Sequence, residues 1–306
     1  MSMKILDIFV LAILFAILGA GLYVLLQNIP GEPIKFEEYN LNNSDIVSSN
    51  RTQFYSNMRY KDKRISYSIS DSCDESARND AENALGILSE KSVIEFYNSG
   101  QKGEINVLCS DLAPEPEEEG HFVAGEGGPS EIINTTNFAV IFSGKVSLFR
   151  DNACDKPNVA IHEILHALGF DHNGNPKSVM YPVTECDQEI DGYIIDEINR
   201  LYSIEALPDL AIEKASANIA GRFLNFEINV ANFGLKESAS SKLIIYAESE
   251  FVKDYDLSLI DIGTRNVLTV VNLRVPRDAE IIEFEIKTSE KELDVSNNKI
   301  EVKLIE

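Results

Sequence analysis

The sequence predicts an α+β domain followed by an all-β sandwich, behind a single apolar N-terminal helix. Three observations carry this. An uncharged run of 19 residues extends from Ile8 to Leu26. Strand-like and helix-like patterns alternate between about 64 and 205. Beyond Leu207-Pro208-Asp209, short apolar alternations are separated by turn residues. With 306 residues, 44% of them hydrophobic, the chain can bury two ordinary cores.

As a helix, the first apolar run would span about 28 Å, close to the hydrocarbon thickness of a bilayer. It ends Tyr23-Val24-Leu25-Leu26-Gln27, without a small-residue cleavage site, so an uncleaved transmembrane anchor over 8–26 is expected. A signal cleaved on secretion is the alternative. Lys4 precedes the run and Glu32, Glu37 and Glu38 follow it, which leaves 1–7 as a cytoplasmic stub and the rest extracellular. Residues 27–60 read as a stalk, broken by Pro30, Gly31 and Pro33 and polar from Asn42 to Asn50.

A domain over 61–206 opens with a strand in which Ile65, Tyr67 and Ile69 alternate. A helix is expected from Asp74 to Phe96, on the spacing of Ala77, Ala81, Leu85 and Leu88. Strands follow at Glu104–Cys109 and Phe138–Phe149, the latter interrupted by Gly144, with an acidic loop at Pro114–Gly120 between them. Ile190, Ile194, Ile198 and Leu201, preceded by Asp187, predict a closing helix. The sandwich, 207–306, rests on alternations such as Leu224, Phe226, Ile228, Val230 and on Asn-Phe-Gly and Asp-Ile-Gly turns.

A net charge of −23, from 50 acidic against 27 basic residues, argues against nucleic acid as a partner, because phosphates are neutralised by clustered Lys and Arg. Cys73, Cys109, Cys154 and Cys186 form no C-x-x-C pair, and in an oxidising compartment they can join. Of three connectivities, Cys73 with Cys109 and Cys154 with Cys186 is expected, since the second pair brackets the segment described next; buried free thiols are the alternative. Sequons at Asn42, Asn50 and Asn134 are compatible with export.

Residues 162–172 read His-Glu-Ile-Leu-His-Ala-Leu-Gly-Phe-Asp-His. On a helix His162 and His166 share a face, with Glu163 beside them. Gly169 lets the chain turn so that His172 can approach. Three neutral imidazoles suit one Zn²⁺ and leave a fourth position for water. Three of the four histidines in the chain stand in this segment, and the zinc-free alternative is a histidine cluster satisfied within a core.

This segment resembles the extended zinc motif of the metzincin peptidases, and Ser178-Val179-Met180-Tyr181-Pro182 resembles their Met-turn, most closely that of the matrixins. The resemblance implies a metzincin-like catalytic domain of a twisted mixed sheet plus three helices. It implies His162, His166 and His172 as metal ligands, Glu163 as general base and Gly169 as the structural turn. It also implies Met180 beneath the site, and Tyr181 and Pro182 in the wall of a substrate pocket. Asn173 stands where matrixins usually carry Ser, no Pro-Arg-Cys-Gly switch occurs, and His121 is the single histidine outside the motif, more in keeping with a loop than with a ligand. The C-terminal region, with Pro208-Asp209-Leu210, Asn232-Phe233-Gly234 and Asp294–Lys299, resembles a CARDB-type, immunoglobulin-like adhesion module, which implies a cell-surface ligand. The function so implied is that of a membrane-anchored extracellular zinc endopeptidase acting on peptides or proteins. The alternative is a surface adhesion or binding protein with a structural zinc site.

Overall fold

The computed structural model describes residues 5–27, 34–40, 52–115, 123–150, 154–277 and 279–303. His121 and the sequons at Asn42 and Asn50 lie outside them. In chain order the elements are α1 (Ile5–Gln27), β1 (Ile34–Lys35), β2 (Tyr39–Asn40), β3 (Met58–Tyr60), β4 (Arg64–Ile69), α2 (Glu75–Lys91), β5 (Glu95–Asn98), β6 (Ile105–Cys109), β7 (Gly125–Asn134), β8 (Ala139–Leu148), α3 (Asn158–Ala167) and α4 (Gly192–Ser203). The all-β part follows as β9 (Leu210–Ala220), β10 (Phe223–Asn232), β11 (Ser241–Ala247), β12 (Glu250–Leu257), β13 (Arg265–Arg274), β14 (Ile281–Thr288) and β15 (Lys299–Lys303).

Helix α1 is long and apolar enough to cross a membrane, and a signal sequence would pass the same test. Its side chains from Phe9 to Leu26 are exposed.

The first core lies between a six-stranded mixed sheet and α2, α3 and α4. β3, β8, β6, β4 and β5 pair in parallel, whereas β7 runs antiparallel to β8 and pairs with no other strand among the described residues. α2 starts where Asp74 accepts a hydrogen bond from the Ala77 amide, and it buries Ala81, Ala84, Leu85 and Leu88. It ends at Lys91, short of the expected Phe96. The Ser92 hydroxyl donates to the Leu88 carbonyl, and the β-branched pair Val93-Ile94 leads into β5. α4 begins at Gly192 after Asp191, later than Asp187 suggested. Strand β8 runs unbroken through Gly144. Disulfides join Cys73 to Cys109 and Cys154 to Cys186, the second tying the segment before α3 to the loop after the Met180 turn.

The second core is a sandwich of two antiparallel sheets. One has the order β1-β9-β10-β13 with β2 also on β9; the other has the order β12-β11-β14-β15. Alternating side chains such as Leu224, Phe226, Ile228 and Val230 point inward against Leu243, Ile245, Phe284 and Val302.

The segment read as a stalk is divided between the two cores wherever it is described. β1 and β2 pair with β9, Phe36 is 1% exposed inside the sandwich, and its amide donates to the Ala217 carbonyl. At the other end, Gln53 and β3 belong to the first core. A polar, Pro-containing sequence conceals this because a single aromatic side chain anchors the short strands. Replacing Phe36 by Ala is expected to destabilise the sandwich by about 3–5 kcal/mol, read by chemical denaturation. A fragment beginning at 61 would lose the strand altogether.

Candidate metal centre

Helix α3 follows Pro157 and is buried on nearly every side, so His162 and His166 project from a fixed frame. Gly169 has φ +95°, which turns the chain out of the helix; a Cβ there would also strike the Met58 side chain. The chain then returns at His172. The three Nε2 atoms stand 3.0 Å apart between His162 and His166, and 3.1 Å from each of these to His172. His162 and His166 are buried, while His172 is exposed and gives the cluster an open side.

Three nitrogens so close cannot satisfy one another through protons alone. The Nδ1 of His162 faces the Val179 carbonyl, and the Nδ1 of His166 faces the Phe170 carbonyl at 2.8 Å. Carbonyls only accept, so these Nδ1 atoms donate, and each Nε2 turns a lone pair toward the shared centre. Burial pushes the His162 imidazole down to about 3, with the neighbouring His166 adding to the shift, and burial lowers His166 and His172 as well. Neutral imidazoles with converging lone pairs are the donor set Zn²⁺ takes at about 2.0–2.1 Å per bond. The residues therefore fit the ion. Among the described residues the cluster comprises these three side chains, with no fourth His, Cys or carboxylate.

Glu163 is 6% exposed and lies under the N-terminal half of β7. A Cβ on Gly125 would fall 2.9 Å from Glu163 Oε1, and one on Gly127 would overlap the Glu163 carbonyl. Burial, reinforced by the charge of Glu126, pushes the Glu163 carboxyl up to about 8.

Met180 is wholly buried; its amide donates to Ser178 Oγ and its carbonyl accepts from the Asn173 amide. Tyr181 is half-buried and Pro182 exposed. Asn173, directly after His172, donates from Nδ2 to Ser178 Oγ at 2.7 Å and lies 3.2 Å from Asp191, which also accepts from the Ser178 hydroxyl. Asn173 thus ties the third histidine to the Met180 turn and to the start of α4. A cavity of about 970 Å³ opens beside the N-terminal part of α3, lined by Val159, Leu148, Arg150, Thr184 and both Cys154 and Cys186. Neither Tyr181 nor Pro182 lines it.

Sequence reasoning missed the supports around the cluster. The Gln53 side chain bonds both the amide and the carbonyl of Met58, the Phe54 amide donates to the Gly169 carbonyl, and the Phe54 ring stacks on His166 at 5.7 Å. An edge strand to receive an extended substrate is expected within 121–150, and β7 lies in that interval, although the Gly-Pro-rich composition of its first residues does not mark where it starts.

Residues 59–203 match the matrixin family model. No curated protein matches the chain. Among solved structures, one similar to this chain is the CARDB domain, in complex with di-metal ions, of a protein from Pyrococcus furiosus. It is 19% identical, covers 32% of this chain and 92% of that domain, and has a TM-score of 0.27.

Proposed function

We propose that residues 59–203, which match the matrixin family model, are a matrixin-type peptidase domain, and that the protein is a zinc-dependent endopeptidase anchored by α1 with both folded domains outside the cell. The observation that carries the reading is the convergence of three Nε2 atoms on one centre, with the buried Glu163 next to His162 along α3. Two disulfides agree with an extracellular setting.

His162, His166 and His172 would hold the ion, which when bound would polarise the scissile carbonyl as a Lewis acid and acidify a water. Glu163 takes the proton of the attacking water and delivers it to the leaving amine. The carbonyls of Val179 and Phe170 fix the tautomers of two ligands. Met180 supports the site from its buried turn, and Tyr181 and Pro182 form a wall on the solvent side. β7, whose outer edge carries no strand among the described residues, pairs with an extended substrate backbone. The cavity beside Val159, on the helix that carries His162, takes a substrate side chain in this reading.

Zinc titration of the full chain tests the reading. One ion per chain is expected, binding is lost in His166→Ala, and cleavage of an unfolded protein substrate stops with chelator and returns with zinc. A folded, zinc-replete protein without chelator-sensitive cleavage would overturn it. The rival reading, a binding protein with a structural zinc, requires a closed four-ligand shell, whereas the described cluster has three members and an exposed side.

A further inference from the structure

The two cores meet at the tip of the β7–β8 hairpin. Phe138 and Val140 of the hairpin form one apolar plug with Leu235 and Ile262 of the sandwich, and Ile204 and Ala206 of the connecting segment pack against it. Hydrogen bonds surround the plug. The Thr135 hydroxyl donates to the Phe233 carbonyl at 3.0 Å. Asn137 Nδ2 donates to Asp209 Oδ2 at 2.9 Å, and Asn297 Nδ2 donates to Asp209 Oδ1 at 3.0 Å. Asp209 is 0% exposed, so its carboxyl depends on these two amides, one from each core. The connection between the cores is fastened too, as the Leu235 amide donates to the Leu207 carbonyl and the Leu293 amide to the Pro208 carbonyl.

β7 needs such a tether. It has one strand partner among the described residues, its first five residues are Gly-Glu-Gly-Gly-Pro, and its register with β8 shifts around Glu131. Glycine and proline weaken a strand, and an edge strand has neighbours on one side only. About 26 Å of strand separates the fastened tip at Thr135 from Gly127 on Glu163.

We propose that the C-terminal sandwich is a brace for the substrate-pairing strand of the peptidase, with Asp209 and Asn137 as its positioning residues. This rests on the peptidase reading and deepens it. The sandwich is then a working part of the cleft and not an independent adhesion module.

The test uses the full chain in detergent. Asn137→Asp sets a carboxylate against Asp209, and the swap N137D/D209N restores a donor facing an acceptor. In Asn137→Asp, KM for extended peptides is expected to rise about tenfold, with kcat within about twofold of the parent. Amide exchange across 125–134 speeds up while zinc stays at one per chain. The swap returns KM and exchange toward the parent. Parent-like KM and exchange in Asn137→Asp would overturn the proposal, as would a joint loss of kcat, zinc and fold that the swap does not rescue. A parent without peptidase activity would sink the peptidase reading alone, because exchange of β7 and its reversal decide the brace without any substrate.

Discussion

Replacing Glu163 by Gln is expected to leave a folded, zinc-binding protein whose kcat is lower by about 10²- to 10⁴-fold. Gln has the same shape, so it fills the narrow slot in which the Glu163 side chain lies against Gly125. It also lies outside the histidine cluster, so zinc stoichiometry should not change. What Gln cannot do is take up a proton from water. The comparison that decides is kcat and zinc content on the same preparation, set beside His166→Ala, in which both should fall. If Glu163→Gln keeps more than about a tenth of the parent rate, the base is another group and the proposed mechanism is wrong.

The part of this centre legible in sequence is the part that regular geometry dictates. A helix places residues four apart on one face, so His162 and His166 could be paired from spacing alone, and Gly169 could be read as a turn because the next histidine needs one. The two cores were likewise visible as a change from mixed periodicity to short alternation near Pro208. Three things were not visible. Phe36 enters the sandwich from a polar stretch because one aromatic residue suffices to anchor a two-residue strand pairing, and no periodicity forms over so short a length. An edge strand within 121–150 is expected, but the bounds of β7 are hidden because Gly125 and Gly127 are required by a neighbour distant in sequence, the Glu163 region of α3, so the cause of its composition is tertiary. The support of the Gly169 turn, by the bridge of Gln53 to Phe170 and the bond of Phe54 to Gly169, joins residues more than 100 positions apart, which local pattern cannot report. Asn173 departs from the matrixin pattern already in sequence, but its bonds to Ser178 and Asp191 emerge only once the turn and α4 are side by side.

The glycines of β7 lead to the second large effect. Gly127 and Gly128 are adjacent and equally plain in sequence, yet a Cβ on Gly127 would overlap the Glu163 carbonyl, whereas one on Gly128 meets nothing within 4 Å. Gly127→Val is therefore expected to push β7 away from α3, costing about 1–3 kcal/mol of stability as overpacking does. Because Glu163 lies under that crossing, and a displacement of about 1 Å can lower a rate 10²-fold, activity should fall far more than stability. Zinc binding should persist, since the histidines hang from α3 and the turn beyond it. Gly128→Val has room for its side chain, and a β-branched residue suits a strand better than glycine, so it should leave both rate and melting temperature near those of the parent. Equal behaviour of the two variants would mean that β7 does not press on the helix where Glu163 sits, and that the strand is free to move away from the cleft without consequence.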